Sequence, residues 1–221
     1  TRCLADDLAR ENIARLARED MVVDLLITLD QHPDALTLAR DYPNLKIVLN
    51  HAYSARMTDG QISDEWKTAV SETSQHPNVY MKISSILNFA GVAKPAPNDL
   101  DHYRDILDHC YDSFGEDRVI FGTNWGVCTH WGSVDNVVRI VEEFLAPKGE
   151  VITRKAMRDN AMRVYGISPE KVRRWTPSNP PGPEPQALYP LPDRQGIHNQ
   201  IGIGLKSVSY THLRAHETHS N

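Results

Sequence analysis

The sequence predicts an α/β fold built from consecutive parallel β/α units, too few to close a barrel on their own. Between residues 4 and 166, stretches with helical spacing of apolar residues alternate with short runs rich in β-branched residues. Each of these runs is almost continuously apolar, as in Val22–Ile27. Such strands are typical of parallel sheets that crossover helices cover on both faces.

The predicted elements follow one another regularly along the chain. The first helix covers residues 4–19, where apolar residues recur at roughly helical spacing, and the strand Val22–Ile27 follows it. Further helix–strand pairs and two final helices complete the region. They are Pro33–Asp41 with Lys46–Asn50, Asp64–Gln75 with Val79–Ser84, and Asp99–Phe114 with Arg118–Thr123, and then Val134–Leu145 and Thr153–Tyr165.

The character of the sequence changes after residues 1–166, the predicted barrel part. Residues 167–206 are predicted to form an irregular tail, because Trp175–Pro192 holds seven of the fourteen prolines and almost no apolar periodicity. Residues 207–221 resemble the translation of a sequencing-library adapter, so we exclude them as non-native. Their histidines are not expected to bind zinc, because a polar terminal run offers no scaffold to fix the ligands. These are His212, His216 and His219.

Composition and charge argue against several classes of function. The chain has 221 residues and a formal net charge of −5, with acidic and basic residues mixed along it. No basic run predicts nucleic-acid binding, and no apolar run is long enough to span a membrane. Cys3, Cys110 and Cys128 show no pairing pattern, which favours a reducing compartment. We therefore expect a cytoplasmic protein with a small-molecule substrate, and leave the oligomeric state open.

The chemistry of a parallel β/α fold lies at the carboxyl ends of its strands, where the loops meet the open face. His51 directly follows the strand Lys46–Asn50. A histidine there can bind Zn or Mn as a neutral imidazole, or act as a base or an electrophile at a carbonyl. It can equally be a strand-end residue bonded to a loop carbonyl. Position alone leaves these alternatives open.

Four further residues near strand ends are candidates for the site. Asn124 follows the strand Arg118–Thr123 and either positions a substrate or forms a turn that caps the next segment. Trp125 beside it is expected to form a wall of the pocket. Lys82 either faces the open end of the barrel to bind substrate or extends its amine to water. Asp24 either binds substrate or pairs with a charged neighbour in the interior.

Five segments of the chain carry recognisable motifs. They are Val22–Leu26 (VVDLL), residues 38–51 (LARDYP and IVLNH), Pro77–Ser84 (PNVYMKIS), Phe114–Trp125 (FGEDRVIFGTNW) and Asn160–Tyr165 (NAMRVY). In this order they resemble the amidohydrolase-related (amidohydrolase-2) family, which includes sugar-lactone and pyrone-dicarboxylate lactonases. The resemblance covers about residues 8–166.

The resemblance implies that these strands are the last four of a (β/α)8 TIM barrel. The family's first strand, with its His-x-His pair, is then expected upstream of Thr1, so we expect a chain truncated at its N-terminus. A whole barrel needs about 250 residues. The resemblance further implies that the full-length protein hydrolyses a cyclic ester (lactone) or related carbonyl compound of a sugar or aromatic acid. Either one divalent metal, Zn or Mn, or no metal is expected.

Two residues match family positions directly. His51 matches the family's histidine after the sixth strand, which is implicated in metal or substrate binding. Asn124 stands where the family usually has Asp, and an amide can neither take a proton from water nor ligate a metal as a carboxylate. These are the expected catalytic residues. The alternatives are a non-hydrolytic member that binds or decarboxylates a small acid, and an inactive fragment with an unpaired sheet edge.

Overall fold

A parallel sheet of four strands forms the centre of the computed structural model, which describes residues 6–90 and 94–168. The strands, in their spatial order, are β1 (Val22–Leu25), β2 (Lys46–Leu49), β5 (Val79–Ile83) and β6 (Val119–Phe121). All three pairings are parallel; Asp24 pairs with Val48, and Met81 with Val119. The predicted α/β fold is therefore confirmed.

Helices connect these strands and flank the sheet. They are α1 (Asp7–Arg18), α2 (His32–Asp41), α3 (Asp64–Ser74), α4 (Arg104–Phe114), α5 (Val134–Leu145), α6 (Glu150–Arg154) and α7 (Asn160–Val164), with a π-helical segment, Lys155–Asp159, between the last two. Three of them begin at a side chain that accepts hydrogen bonds from first-turn amides, namely Asp6, Ser63 and Ser133. Such caps satisfy amides that have no partner within the helix.

The main hydrophobic core lies between one face of the sheet and these helices. Strand residues that alternate along β2 and β5 point into it, including Ile47, Leu49 and Met81, all at most 1% exposed. Helix residues of the same core include Leu38 and Val141. The core therefore fixes the register of each strand, because a shift by one residue would expose its apolar set.

The opposite face of the sheet carries a smaller apolar cluster. Val48 and Ile120 from the strands pack there against Val164, and all three are at most 1% exposed. Tyr80 and Tyr165 are partly buried against the same cluster. The second face of the sheet is therefore partly covered as well, which contributes to the apolar character of the strands.

The structure differs from the predicted elements mainly in the loops. The fourth helix begins at Arg104 rather than Asp99, because the Asp99 carboxylate accepts from the amide of His102 at 3.0 Å and holds a turn there. A two-stranded hairpin, β3 (Met57–Thr58) and β4 (Gln61–Ile62), lies in a segment with no predicted element. The last helical region begins at Glu150, three residues earlier than predicted.

Several sequence predictions lie outside the described residues. They concern Cys3, the proline-rich Trp175–Pro192, the whole of residues 169–206, and the final residues 207–221. Within residues 6–90 and 94–168, no helix combines the length and hydropathy that crossing a membrane requires.

Candidate active site

Polar segments follow the carboxyl ends of three adjacent strands. His51 follows β2, Ser84 and Ser85 follow β5, and Asn124 follows β6. Because these strands are parallel neighbours, the segments meet at one edge of the sheet. His51, Ser85 and Asn124 have φ angles of 57°, 60° and 56°, in the left-handed region that non-glycine residues rarely adopt. Such conformations cluster at functional sites, which makes this edge the candidate active site.

A left-handed turn, His51–Ser54, follows β2, and all four of its residues have φ between 46° and 57°. Each non-glycine residue in this conformation costs about 1–2 kcal/mol. Neighbouring groups hold the turn in place. The Trp66 indole N–H donates to the carbonyl of Ala52 at 2.9 Å, and the Ser54 hydroxyl donates to the carbonyl of Ile27 at 2.6 Å. The turn therefore has a fixed position at the sheet edge.

A buried tyrosine anchors the same turn to two helices. The Tyr53 hydroxyl lies 2.8 Å from Nδ1 of His32, and Nε2 of His32 lies 2.8 Å from a carboxylate oxygen of Glu72. Burial, and then the charge of Glu72, raise the pKa of Tyr53 above its ordinary value. The phenol therefore stays protonated at neutral pH and can keep its hydrogen bond.

Hydrogen bonds between side chains join the three strand ends. Nδ1 of His51 lies 2.8 Å from the Ser84 hydroxyl oxygen, which also accepts from the His51 amide at 3.3 Å. The Asn124 side-chain amide donates to the Ser85 hydroxyl oxygen at 2.9 Å. The backbone carbonyl of Asn124 also accepts from the amides of Val127 and Cys128, so Asn124 forms a turn as well. The two serines therefore link β5 to β2 on one side and to β6 on the other.

A cavity of about 610 Å³ opens beside this cluster. His51 and Ser85 line it together with residues of the left-handed turn, the hairpin and the segment after β5. Cavities of roughly 300–1,000 Å³ are typical of small-molecule sites. The remaining lining residues are Ser54, Ala55, Arg56, Met57, Thr58, Asn88, Phe89 and Trp131. The cavity is thus large enough for a sugar-sized ligand.

Asp24 and Lys82 lie away from this cavity, on the sheet face with the smaller apolar cluster. The Lys82 ammonium donates to the Asp24 carboxylate at 2.7 Å, and the Tyr165 hydroxyl donates to the other carboxylate oxygen at 2.8 Å. Burial, and then Asp24, raise the pKa of Tyr165, so its phenol stays protonated. Asp24 thus has a charged neighbour, as one of its two predicted alternatives requires. A substrate-binding role for Asp24 and Lys82 stays a prediction.

The tryptophan that was expected to form a wall of the pocket is not among the described residues that line the cavity, but a second tryptophan is. Trp125 is 78% exposed and is not among the residues that line the cavity, whereas Trp131 lines it. Arg56 and Asn88 also line it, although the sequence did not predict them. Arg56, Asn88 and Trp131 lie in segments without periodic patterning, seven, five and ten residues beyond the ends of β2, β5 and β6. The sequence offers only the general signal that these segments follow strand ends.

The described residues do not form a metal site by themselves. Among residues 6–90 and 94–168, no group of three His, Cys, Asp or Glu side chains could hold a metal ion. Of these residue types, His51 alone is among the described residues that line the cavity, so these residues supply at most one ordinary metal ligand there. The donor set does not fit a structural or catalytic zinc centre, which needs at least three protein ligands.

Comparison with known proteins identifies related sequences. Residues 3–167 match the family model described as Amidohydrolase. An L-fucono-1,5-lactonase of Burkholderia ambifaria is 35% identical over 122 residues, which are 55% of this chain and 40% of that protein. An L-fucono-1,5-lactonase of Burkholderia multivorans is 29% identical over 167 residues, 73% of this chain and 56% of that protein. The chain thus spans about half the length of the curated relatives it matches.

Solved structures agree with this relationship. An amidohydrolase of Burkholderia multivorans crystallised with bound zinc has a TM-score of 0.68 and 26% identity, covering 75% of this chain and 59% of that one. Such neighbours are TIM barrels, and the parallel sheet described here corresponds to part of that fold. The family match covers most of the chain. The order of strands and motifs along the chain agrees with this match. The chain therefore belongs to the amidohydrolase family.

Proposed function

We propose that this chain carries the catalytic edge of a hydrolase that opens the ring of sugar lactones by adding water to the ester carbonyl. The family and the names of the two lactonase relatives support the reaction class. One observation carries the proposal. His51 and Ser85, from the ends of two adjacent strands, line one cavity of about 610 Å³, at the edge where parallel β/α folds place their reactive groups.

Lactone hydrolysis requires stabilisation of negative charge on the carbonyl oxygen. Water adds to the carbonyl carbon, the ring C–O bond breaks, and a proton from the water reaches the ring oxygen, which leaves as a hydroxyl. The resulting carboxylic acid releases its proton to solvent at neutral pH. Hydrogen-bond donors fixed near the carbonyl oxygen are the largest contribution that a protein usually makes to such a reaction. The site therefore needs a donor and a group that orients the water.

Ser85 is suited to be that donor. Its hydroxyl oxygen accepts from the Asn124 amide at 2.9 Å, so its own proton remains for another acceptor. Ser85 lines the cavity, and in the proposal its hydroxyl donates this proton to the lactone carbonyl oxygen. In this arrangement Asn124 is a positioning residue that sets the direction of the Ser85 hydroxyl, and it needs no carboxylate.

His51 is suited to handle the attacking water or the carbonyl. The Ser84 hydroxyl contacts Nδ1 and fixes the orientation of the ring. A neutral imidazole can take a proton from water or donate to a carbonyl, and the proposal assigns His51 one of these roles. The family's zinc chemistry would require ligands beyond this cavity, so no step here passes through a metal.

A panel of cyclic and open esters tests this proposal. The purified protein is mixed with sugar 1,5- and 1,4-lactones, a pyrone carboxylate, an open-chain sugar-acid methyl ester and the matching amide. Proton release is followed after chelator dialysis and again with added zinc. We expect turnover of sugar lactones well above their spontaneous hydrolysis, and little with the amide. Absence of turnover across the lactones in both conditions contradicts the proposal.

A second candidate function is binding of a small acid without hydrolysis. It is favoured by the amide at Asn124, where the resemblance implies a carboxylate, and by the absence of Asp and Glu among the described cavity-lining residues. The same panel separates the two candidates. Saturable binding of sugar acids without lactone turnover supports the second.

A further inference from the structure

Arg56 introduces a positive charge at the cavity wall, and none of the described lining residues balances it. Its side chain is exposed and lines the cavity beside the left-handed turn. Within residues 6–90 and 94–168, the guanidinium takes part in no ion pair or hydrogen bond. Most other arginines of the described residues have partners; Arg118, for example, donates to two backbone carbonyls. An unpaired guanidinium at a cavity wall is available to bind a planar anion such as a carboxylate.

The other lining residues do not oppose this charge. The ten described residues that line the cavity include neither Asp nor Glu. A second cation lies close by, since the Lys94 ammonium lies 4.5 Å from the centre of the Trp131 ring that lines the cavity. The local potential therefore favours an anion. A negatively charged ligand also avoids the cost that a cation would meet here.

Asn88 supplies the complementary feature, an acceptor without a donor. Its side-chain oxygen is buried and has no hydrogen-bond partner in the described part of the chain, and the residue lines the same cavity. A buried polar atom without a partner costs about 1–3 kcal/mol, so this oxygen needs a partner to account for it. The oxygen exposes less than 1 Å², so a ligand hydroxyl satisfies it once the Asn88 side chain turns toward the cavity. The rings of Phe89 and Trp131 then offer apolar surface to the carbon skeleton of the same ligand.

We propose that the Arg56 end of this cavity binds the carboxylate of a polyhydroxy acid, with the Asn88 oxygen accepting from one of its hydroxyls. Such an acid is the ring-opened product of the reaction, and in that respect the inference rests on the proposed function. The neutral lactone lacks the carboxylate, so the product binds more tightly than the substrate. Inhibition by the product then depends on the charge of Arg56.

Binding of a sugar acid to the protein tests this inference without any chemistry. Isothermal titration with L-fuconate or D-gluconate is compared with the corresponding alditol, which has the same hydroxyls but no carboxylate. Arg56→Met is expected to weaken binding of the acid at least tenfold and to leave the alditol unchanged. Arg15→Met is the matched control, because Arg15 is exposed on α1 and lies outside the cavity lining. Equal affinity of Arg56→Met and wild type for the acid overturns the inference, as does failure of the wild type to bind it.

Asn88→Leu provides an independent measurement. The leucine fills a similar volume but removes the unpaired oxygen, so the protein should unfold at an equal or higher urea concentration. Binding of both the acid and the alditol should fall about tenfold, because a hydroxyl loses its acceptor. Unchanged binding of both ligands argues against a role for Asn88.

The two proposals fail in different ways. Arg56-dependent binding of the acid without lactone turnover leaves this subsite standing and removes the proposed hydrolysis. Lactone turnover, together with acid binding that does not depend on Arg56, supports the proposed hydrolysis and removes this subsite. Kinetic product inhibition provides the cross-check, since Arg56→Met should raise the inhibition constant of the acid more than it changes KM for the lactone.

Discussion

Asn124 differs from a carboxylate in the direction of its hydrogen bond to Ser85. The amide donates to the serine oxygen at 2.9 Å, which leaves the serine proton for the cavity. An aspartate at the same place can only accept when ionised, so the serine hydroxyl would turn and donate to it. The amide is therefore consistent with an active site in which Ser85 is the donor.

Substitution at this position gives a prediction at the residue scale. Asn124→Asp should lower kcat for lactone hydrolysis about 100-fold, because the site loses a donor to the developing oxyanion. Ser85→Ala should lose a similar amount, and adding Asn124→Asp to Ser85→Ala should cost little more, since both changes remove the same donor. The measurement is kcat of the three variants. A rise in activity with Asn124→Asp would show that the missing carboxylate, not the serine, limits the reaction.

The sequence predicted part of this site and missed another part for a physical reason. His51 and Asn124 were found because the carboxyl ends of parallel strands are fixed by the strand pattern itself. Arg56, Asn88 and Trp131 lie in loops, where neither a period nor a spacing relates one residue to another. Their neighbourhood depends on tertiary folding of the left-handed turn, which no local sequence signal predicted.

At the scale of an element, the left-handed turn His51–Ser54 is the most constrained part of the site. Four successive non-glycine residues at positive φ are costly, so the turn depends on the groups that hold it. The Trp66 indole is central among them, because it is 1% exposed and its N–H donates to the Ala52 carbonyl. Stability of the turn and position of His51 are thus coupled.

A pair of identical substitutions tests this coupling. Trp66→Phe should lower the free energy of unfolding by about 2–4 kcal/mol, because it leaves a cavity and an unpaired carbonyl. Trp125→Phe is the control; Trp125 is 78% exposed, so its effect should stay within about 0.5 kcal/mol. Urea unfolding of both variants provides the measurement. Similar losses in the two variants would mean that the indole bond does not hold the turn.

The strands were the most predictable elements and the loop structures the least. Each predicted strand is present with its end displaced by at most two residues, because almost continuous apolar runs leave a strong pattern. The hairpin between Met57 and Ile62 has strands of only two residues. Such short strands carry no period of their own, so the sequence could not reveal them.

At the scale of the whole molecule, the sheet separates its structural faces from the candidate active site. One face packs on the helices, the other carries a small apolar cluster with the Asp24–Lys82 ion pair, and the carboxyl edge holds the strained residues and the cavity. The α/β class followed from the sequence because this layering is encoded in every strand. The composition of the cavity did not, because loops from three separate strand ends contribute to it.

The central claim is that His51 at this edge takes part in opening a lactone ring. The most direct measurement is proton release from the best sugar lactone by wild type and by His51→Gln, with urea unfolding to verify that the variant is folded. Gln retains an amide of similar reach but cannot act as an imidazole base. We expect a loss in kcat of about 100- to 1,000-fold for the folded variant. A folded His51→Gln protein with kcat within threefold of wild type would contradict it.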